Sequence, residues 1–275
     1  MTAGRRFIRF RGPDGTPHMA AVDELPVEPV DEETLELPPP YTLLAPLAPP
    51  EVWCAGVTYV RSRDARVEES AVEDVYSLVY DAERPELFFK DAGGRRTVGP
   101  GAPIAVRSDS AWNVPEPEIG LVLGDGGAVT GVTIGNDVSS RSIEGANPLY
   151  LPQAKIYAAA CAIGPAVLEP DDWSQPFTIE MRILSSGGDE LFSGETSTAK
   201  MRRSFDELAA WLVRENPVPH GSVLLTGTGL VPDSDFTLKP GNVVEIRVPG
   251  IGVLRNPVVS AASLVGDHSR SEAHV

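Results

Sequence analysis

Two glutamates at alternating positions carry the first chemical signal of this chain: Val114-Pro115-Glu116-Pro117-Glu118-Ile119 leads into a β-rich run. On an extended backbone residues i and i+2 project from one face, so both carboxylates point the same way. Two carboxylates held side by side repel unless a cation lies between them. Oxygen ligands without His or Cys suit a hard ion, Mg²⁺ first, with Mn²⁺ and Ca²⁺ as alternatives. A third carboxylate follows the strand-like Val129 to Ile134, in Gly135-Asn136-Asp137-Val138-Ser139-Ser140-Arg141. The same residues also suit a solvated strand edge with Asp137 as a turn residue or helix cap, and residue types alone leave both readings open.

Lys155 lies between apolar residues after the Pro-bracketed stretch Asn147-Pro148-Leu149-Tyr150-Leu151-Pro152. Such a lysine can bury its stem and present an ammonium to a pocket, where it binds a carboxylate or moves a proton; it can equally snorkel to the surface. In Leu224-Leu225-Thr226-Gly227-Thr228-Gly229 a β run ends in glycines, which allow close backbone approach to an anion or simply make a turn. Other chemistries lose ground by inspection. His18 falls in an expected hairpin and His268 and His274 in the tail, leaving His220 as the one histidine in a central region. A His-based triad or zinc site is poorly supported. No G-x-S-x-G, P-loop or dinucleotide-binding glycine pattern after a strand is found.

The elements that must position these residues read as mostly β. The chain has 275 residues with 42% hydrophobic and 23% charged residues, enough for a sizeable core. A formal net charge of -16 argues against nucleic-acid or anionic-membrane partners, because phosphate binding needs clustered Lys and Arg. The longest nearly apolar stretch, Ile156 to Leu168, is broken by Gly164-Pro165 and is too short to span a bilayer. No apolar segment follows the basic amino-terminal residues, so a cytoplasmic location without secretion is expected. Two isolated cysteines, Cys54 and Cys161, do not imply a disulfide framework.

Arg5 to Phe10 and Met19 to Val22 read as a hairpin around Gly12-Pro13-Asp14-Gly15, and Pro38-Pro39-Pro40 marks a boundary. This suggests a small amino-terminal β lobe over 1–48, a main domain over 49–266 and a polar tail over 267–275. Charged and apolar residues interleave at helical intervals from Val60 to Tyr80. Strand signals then dominate: Leu87 to Phe89, Ile104 to Val106, Ile119 to Leu123, Val129 to Ile134, Ile163 to Leu168, Phe177 to Leu184, Val223 to Thr226 and Val243 to Val248. Ser204 with Glu207 forms a capping-box signal for a helix to Arg214 with Phe205, Leu208, Ala209 and Leu212 on one face. The fold class expected is α+β, mostly β.

Taken in order, these motifs resemble the fumarylacetoacetate hydrolase family. The resemblance rests on Gly56-Val57-Thr58-Tyr59, Phe88-Phe89-Lys90, Glu116-x-Glu118, Asn136-Asp137-Val138-Ser139-Ser140-Arg141, Lys155, Gly227-Thr228-Gly229 and Lys239-Pro240-Gly241-Asn242-Val243-Val244-Glu245, and it spans about Trp53 to Val258. It implies a mixed β-roll with few helices, Mg²⁺ held by Glu116, Glu118 and Asp137, a small-molecule 2-oxo acid as substrate, and a homodimer or homotetramer. In the family's carbon-carbon hydrolases a water-activating His follows the turn tyrosine by three residues; here Ser62 stands there, and Thr58 replaces Asn.

That departure, with Arg84-Pro85-Glu86-Leu87-Phe88-Phe89-Lys90 and Glu144-Gly145-x-Asn147-Pro148-Leu149-Tyr150-Leu151-Pro152-Gln153-Ala154-Lys155, is similar to the family's sugar-acid dehydratase branch. The branch implies dehydration of a 2-keto-3-deoxy sugar acid, 2-dehydro-3-deoxy-D-arabinonate to 2,5-dioxopentanoate, in sugar-acid catabolism. C3 protons of such an acid are acidic because the charge spreads onto the C2 oxygen, where a Lewis acid stabilises it. Glu86 and Lys155 are the expected catalytic residues, and Tyr59, Lys155, Arg141, Gly227 and Thr228 the expected substrate contacts. Alternatives on the same platform are an acylpyruvate or fumarylacetoacetate-type hydrolase or an oxaloacetate decarboxylase, and, in another class, an inactive 2-oxo acid binder.

Overall fold

The computed structural model describes residues 4–61 and 78–265. Most of the helical segment expected over Val60 to Tyr80, Ser62 included, lies outside the described residues, as does the tail from 267 to 275.

Among the described residues strands predominate, in a ten-stranded mixed sheet, a five-stranded sheet and a two-stranded ribbon. The large sheet runs in the order Pro17–Ala21, Gly4–Arg11, Cys161–Pro170, Val129–Asp137, Pro117–Leu123, Val223–Leu225, Glu51–Gly56, Glu86–Ala92. The short strands Thr42–Leu43 and Thr97–Val98 join it off this path. The smaller sheet runs Glu190–Ser197, Thr178–Leu184, Val243–Val248, Gly252–Ser260, Ile104–Val106.

The alternation of side chains along each strand decides what the sheets bury. Ile119, Leu121 and Leu123 enter one core cluster with Ile179, Met181, Ile183, Val244, Ile246 and Leu254 of the smaller sheet. Leu224 faces that core too, while its neighbours Val223 and Leu225 face the other side, packing with Val52, Cys54, Cys161 and Ile163. Glu118 alternates with Ile119, and Gly120 meets Val223 and Leu225, so the second face is the one that carries the carboxylates. The acidic residues therefore sit at the end of an apolar face, closed off from water by it.

The fold class expected from sequence is the one observed, and the predicted hairpin forms. Gly4–Arg11 pairs with Pro17–Ala21 and also with Cys161–Pro170, which makes the hairpin one edge of the large sheet. Ser204 caps the helix Phe205–Val213, its hydroxyl accepting from the Glu207 amide at 3.1 Å. The Glu207 carboxylate accepts from Arg203 at 2.5 Å. The Pro-bracketed stretch before Lys155, which its prolines mark as a loop, holds a 3-10 turn, Pro148–Tyr150, and the short helix Leu151–Lys155. Pro152 is tolerated because it falls in the first turn, where its missing N–H removes no helical hydrogen bond. Glu190–Ser197 is the return strand of the hairpin that Ser185-Ser186-Gly187-Gly188 signals, whereas Glu51–Gly56 and Gly252–Ser260 carry no strand signal strong enough to read from sequence.

Leu121, 0% exposed at the centre of the large sheet, tests the shared core. Leu121→Ala should lower the unfolding free energy by about 2–5 kcal/mol, the usual cost of truncating a buried leucine. Urea denaturation of the two proteins reads the difference.

Candidate functional site

The site is built on a pair of antiparallel rails. Pro117–Leu123 pairs with Val129–Asp137, placing Glu118 opposite Gly135. The register continues past the strand: the Asp137 amide donates to the Glu116 carbonyl at 3.0 Å, and the Glu116 amide donates to the Asn136 side-chain oxygen at 3.1 Å. Ser139–Ser140 then pairs with Asn113–Val114. This clamps the two acidic segments side by side. Glu116, Glu118 and Asp137 are all buried, and each offers an oxygen within 4.8 Å of the others.

Three carboxylates taken out of water cost several kcal/mol each unless cations meet them. Among the described residues three buried cations do so. The Lys155 ammonium lies 2.8 Å from Glu116 Oε2 and 2.7 Å from Asp137 Oδ2. Arg141 approaches Glu116 Oε1 at 2.9 Å. Lys90 contacts Asp137 Oδ1 and donates to the Val138 carbonyl at 3.1 Å. Each cation comes from a different element: the strand Glu86–Ala92, the first residue of the helix Arg141–Ala146, and the last residue of Leu151–Lys155.

Glu118 is treated differently. It accepts the Gly227 amide at 2.6 Å, and among the described residues no Lys or Arg forms an ion pair with it. Burial, then the neighbouring Asp137 and Glu116 carboxylates, push its carboxyl well above the ordinary range. A buried acid in that condition calls for a further positive charge. The donor set is three carboxylates without His or Cys, so the residues present fit a hard divalent ion.

The loops that reach Glu118 are tightly built. Gly227 has φ +90°, and a methyl group on its Cα would overlap Thr58 Oγ1. Thr58 donates to the Thr226 carbonyl at 2.7 Å, tying the end of Glu51–Gly56 to the end of its parallel partner Val223–Leu225. Val57, a β-branched residue, is held at φ 52° between them. Backbone strain of this kind persists only where surrounding structure enforces it, and it gathers at functional sites.

Ala55, Gly56, Val57, Phe88, Arg141, Lys155, Gly227 and Thr228 surround the three carboxylates in a cavity of about 10 Å³. Of the residues singled out from sequence, Lys155, Arg141, Gly227 and Thr228 thus line one cavity with the acidic trio. Thr228 is further fixed by donating to the Leu230 carbonyl at 3.0 Å. Tyr59 is buried beside it, packed on Gly229, with its hydroxyl pushed up by burial and then by Glu118. Glu86 does not line this cavity. Its carboxylate lies over Gly56, which does, and Glu86 opens instead into an adjoining cavity of about 330 Å³. His220 is exposed and lies 3.3 Å from Asp125, away from the site.

Sequence reasoning passed over Lys90, Asn136 and Gly56. Lys90 appeared only as part of a motif; its place beside Phe89 in a strand signals nothing about a partner 47 residues away. Asn136 and Gly56 likewise stand only inside motifs, because an amide before Asp137 and a glycine opposite Glu86 meet their partners only once the strands pair.

A family model described as fumarylacetoacetate (FAA) hydrolase C-terminal matches residues 51–259. The chain is 52% identical over 216 residues to a probable 2-keto-3-deoxyxylonate dehydratase of Haloferax volcanii, an alignment covering 78% of this chain and 74% of that protein. It is 45% identical over 218 residues to a 2-dehydro-3-deoxy-D-arabinonate dehydratase of Saccharolobus solfataricus, covering 78% and 73%. A solved 2-keto-3-deoxy-D-arabinonate dehydratase complexed with magnesium and 2,5-dioxopentanoate matches with a TM-score of 0.78 and 36% identity, over 93% of this chain and 99% of that one.

Two outcomes follow from the geometry. Gly227→Ala should move the amide that fixes Glu118 and weaken Mg²⁺ binding at least tenfold, about 1.4 kcal/mol, measured by calorimetry. Because the Glu118 carboxyl is raised, its contribution to the stability of metal-free protein is full below the ordinary carboxyl value of 4.5 and is lost as pH rises through the raised value. Thermal unfolding of metal-free protein should therefore show a decline in stability with rising pH that Glu118→Gln flattens.

Proposed function

The chain belongs to the fumarylacetoacetate hydrolase family, and from that premise we propose that it is a magnesium-dependent dehydratase converting 2-dehydro-3-deoxy-D-arabinonate to 2,5-dioxopentanoate and water. The observation that carries this reading is the buried trio Glu116, Glu118 and Asp137 sharing one cavity with Lys155, in a chain whose dehydratase relatives include one complexed with magnesium and that product.

Glu116, Glu118 and Asp137 would hold Mg²⁺, which supplies Lewis-acid stabilisation of negative charge on the C2 oxygen of a 2-oxo acid. Lys155 brings an ammonium to the same cavity and offsets that charge as the C3 proton departs. Glu86 takes the C3 proton from its position beside Gly56 and returns it to the hydroxyl leaving C4, so that one water is released. A C5 proton then passes to C3 as the double bond moves to C4=C5, and the resulting enol gives up its hydroxyl proton as C4 takes one, leaving the C5 aldehyde. Gly227 and Thr228 border the substrate carboxylate, the Gly227 amide staying on Glu118 and the Thr228 hydroxyl on the Leu230 carbonyl while the Thr228 backbone amide faces the substrate, Arg141 fixes Glu116 and reaches the carboxylate edge, and Tyr59 closes the wall next to Glu118.

We further assign the protein to the cytoplasm as a homodimer or homotetramer. Two buried free cysteines suit a reducing compartment, and among the described residues no helix is long and apolar enough to cross a membrane. Leu78, Leu149 and Tyr150 are large apolar side chains left exposed, which self-association would cover.

Incubating Mg²⁺-loaded protein with 2-dehydro-3-deoxy-D-arabinonate should give the mass of 2,5-dioxopentanoate. An acylpyruvate should remain intact; its cleavage without dehydration of the sugar acid would replace this reading with carbon-carbon hydrolysis. Glu86→Gln should lower kcat by about 10²-fold or more, the scale of general acid-base catalysis, while leaving Mg²⁺ affinity unchanged.

A further inference from the structure

The cavity that holds the carboxylates measures about 10 Å³, room for little more than one water or ion. The cavity that Glu86 enters measures about 330 Å³, at the lower end of the range for small-molecule sites. Two separate elements run from one to the other in the same order. Glu86 and Phe88 share a face of their strand; Glu86 lines the larger cavity and Phe88 the smaller. Leu151 and Lys155 share a face of their helix one turn apart, and again the first lines the larger cavity and the second the smaller. Two residues of strand and four of helix both correspond to about 6 Å, the reach of a short carbon chain anchored at its first two atoms. Gly56 completes the passage: a side chain there would overlap the Glu86 carboxylate that lies between the cavities.

From this arrangement we propose that the second cavity, lined by Arg84, Glu86, Leu87, Pro148 and Leu151, is the subsite for the hydroxylated tail of the substrate, with Leu151 setting the chain length accepted and Arg84 binding the terminal hydroxyl. The inference rests on the reading of the protein as a 2-oxo acid enzyme. A substrate whose C1 and C2 oxygens face the acidic cavity has no room for its carbons there, and among the described residues Glu86 stands between that cavity and the larger one, where C3 would lie. Arg84 is held for the task by its neighbour: its guanidinium stacks 4.6 Å from the Trp211 ring centre, with Arg214 on the same ring at 3.9 Å. A guanidinium held over a ring face keeps N–H donors for a hydroxyl partner. Among the described residues the walls are otherwise apolar (Val79, Pro85, Leu87, Pro148, Leu151), which suits the carbon backbone of the tail.

Acids that lack a C4 hydroxyl bind without losing water and so isolate the subsite. Calorimetry on Mg²⁺-loaded protein would compare pyruvate, 2-oxopentanoate and 5-hydroxy-2-oxopentanoate. Leu151→Phe should weaken both five-carbon acids about tenfold and leave pyruvate unchanged, and Arg84→Ala should weaken 5-hydroxy-2-oxopentanoate about tenfold while leaving 2-oxopentanoate and pyruvate unchanged. Unchanged affinity for all three acids in both variants, or an equal loss for pyruvate and the longer acids, would overturn the proposal. Retained pyruvate binding shows that each variant is folded. Product analysis separates the two claims: 2,5-dioxopentanoate formed by a protein whose variants show no tail effect removes the subsite alone, whereas tail effects without dehydration remove the dehydratase reading alone. No binding of any acid overturns both.

Discussion

Three carboxylates buried, among the described residues, against three cations set the terms for everything else in this structure. Neither half survives alone: removing one partner of a buried ion pair leaves an uncompensated charge, which costs about 3–5 kcal/mol. Lys90, Arg141 and Lys155 are each 1% exposed or less, as buried as the apolar core. They cannot swing out to solvent, so strand, helix start and helix end must all arrive in register for the acids to be tolerated. The balance is also deliberately uneven in space. Glu116 and Asp137 receive the ammonium and guanidinium groups, whereas Glu118 receives one backbone amide, and this leaves a direction from which a divalent ion is drawn.

That demand explains backbone features that would otherwise look like local accidents. The positive φ of Val57 and of Gly227, and the Thr58 hydroxyl on the Thr226 carbonyl, lock two parallel strand ends together beneath Glu118. Gly120 and Gly135 lack side chains where Leu225 presses against the sheet, so the apolar floor can rise close under the acids. Water is kept from the cluster by Val52, Cys54, Cys161, Ile163, Val223 and Leu225. In this low-dielectric setting the same few charges interact more strongly than they would at a surface.

What sequence made visible was what is local. Glu116 and Glu118 alternate on one strand, so their shared direction follows from the pleat; the Ser204 cap and its helix follow from spacing of a few residues. The third carboxylate, Lys155 and the Gly-Thr-Gly turn were visible as residue types, but their meeting depends on pairings between distant strands. Lys90 shows the limit most clearly. Phe88-Phe89-Lys90 reads as an ordinary strand, and only the antiparallel pairing of Glu86–Ala92 with Glu51–Gly56 puts that ammonium under Asp137. The helix Leu151–Lys155 was hidden for a different reason, since prolines that bracket a stretch usually break structure and here one of them begins it.

The same geometry separates two demands that often conflict. Holding an ion and stabilising charge at C2 need rigid, fully buried groups, and these come from sheet register and cannot change without unfolding the charge balance. Selecting a tail needs surfaces that can vary, and these come from the Pro148–Tyr150 turn, the start of Leu151–Lys155 and the Arg84 side chain stacked on Trp211. Glu86 stands where the two regions touch, over Gly56 and at the first position of its strand. A base placed there meets the substrate carbon between the anchored head and the selected tail. Substitutions at Leu151 or Arg84 would then change which acid is accepted while leaving the ion, Lys155 and the proton path in place, because neither residue lines the cavity that holds the buried cluster.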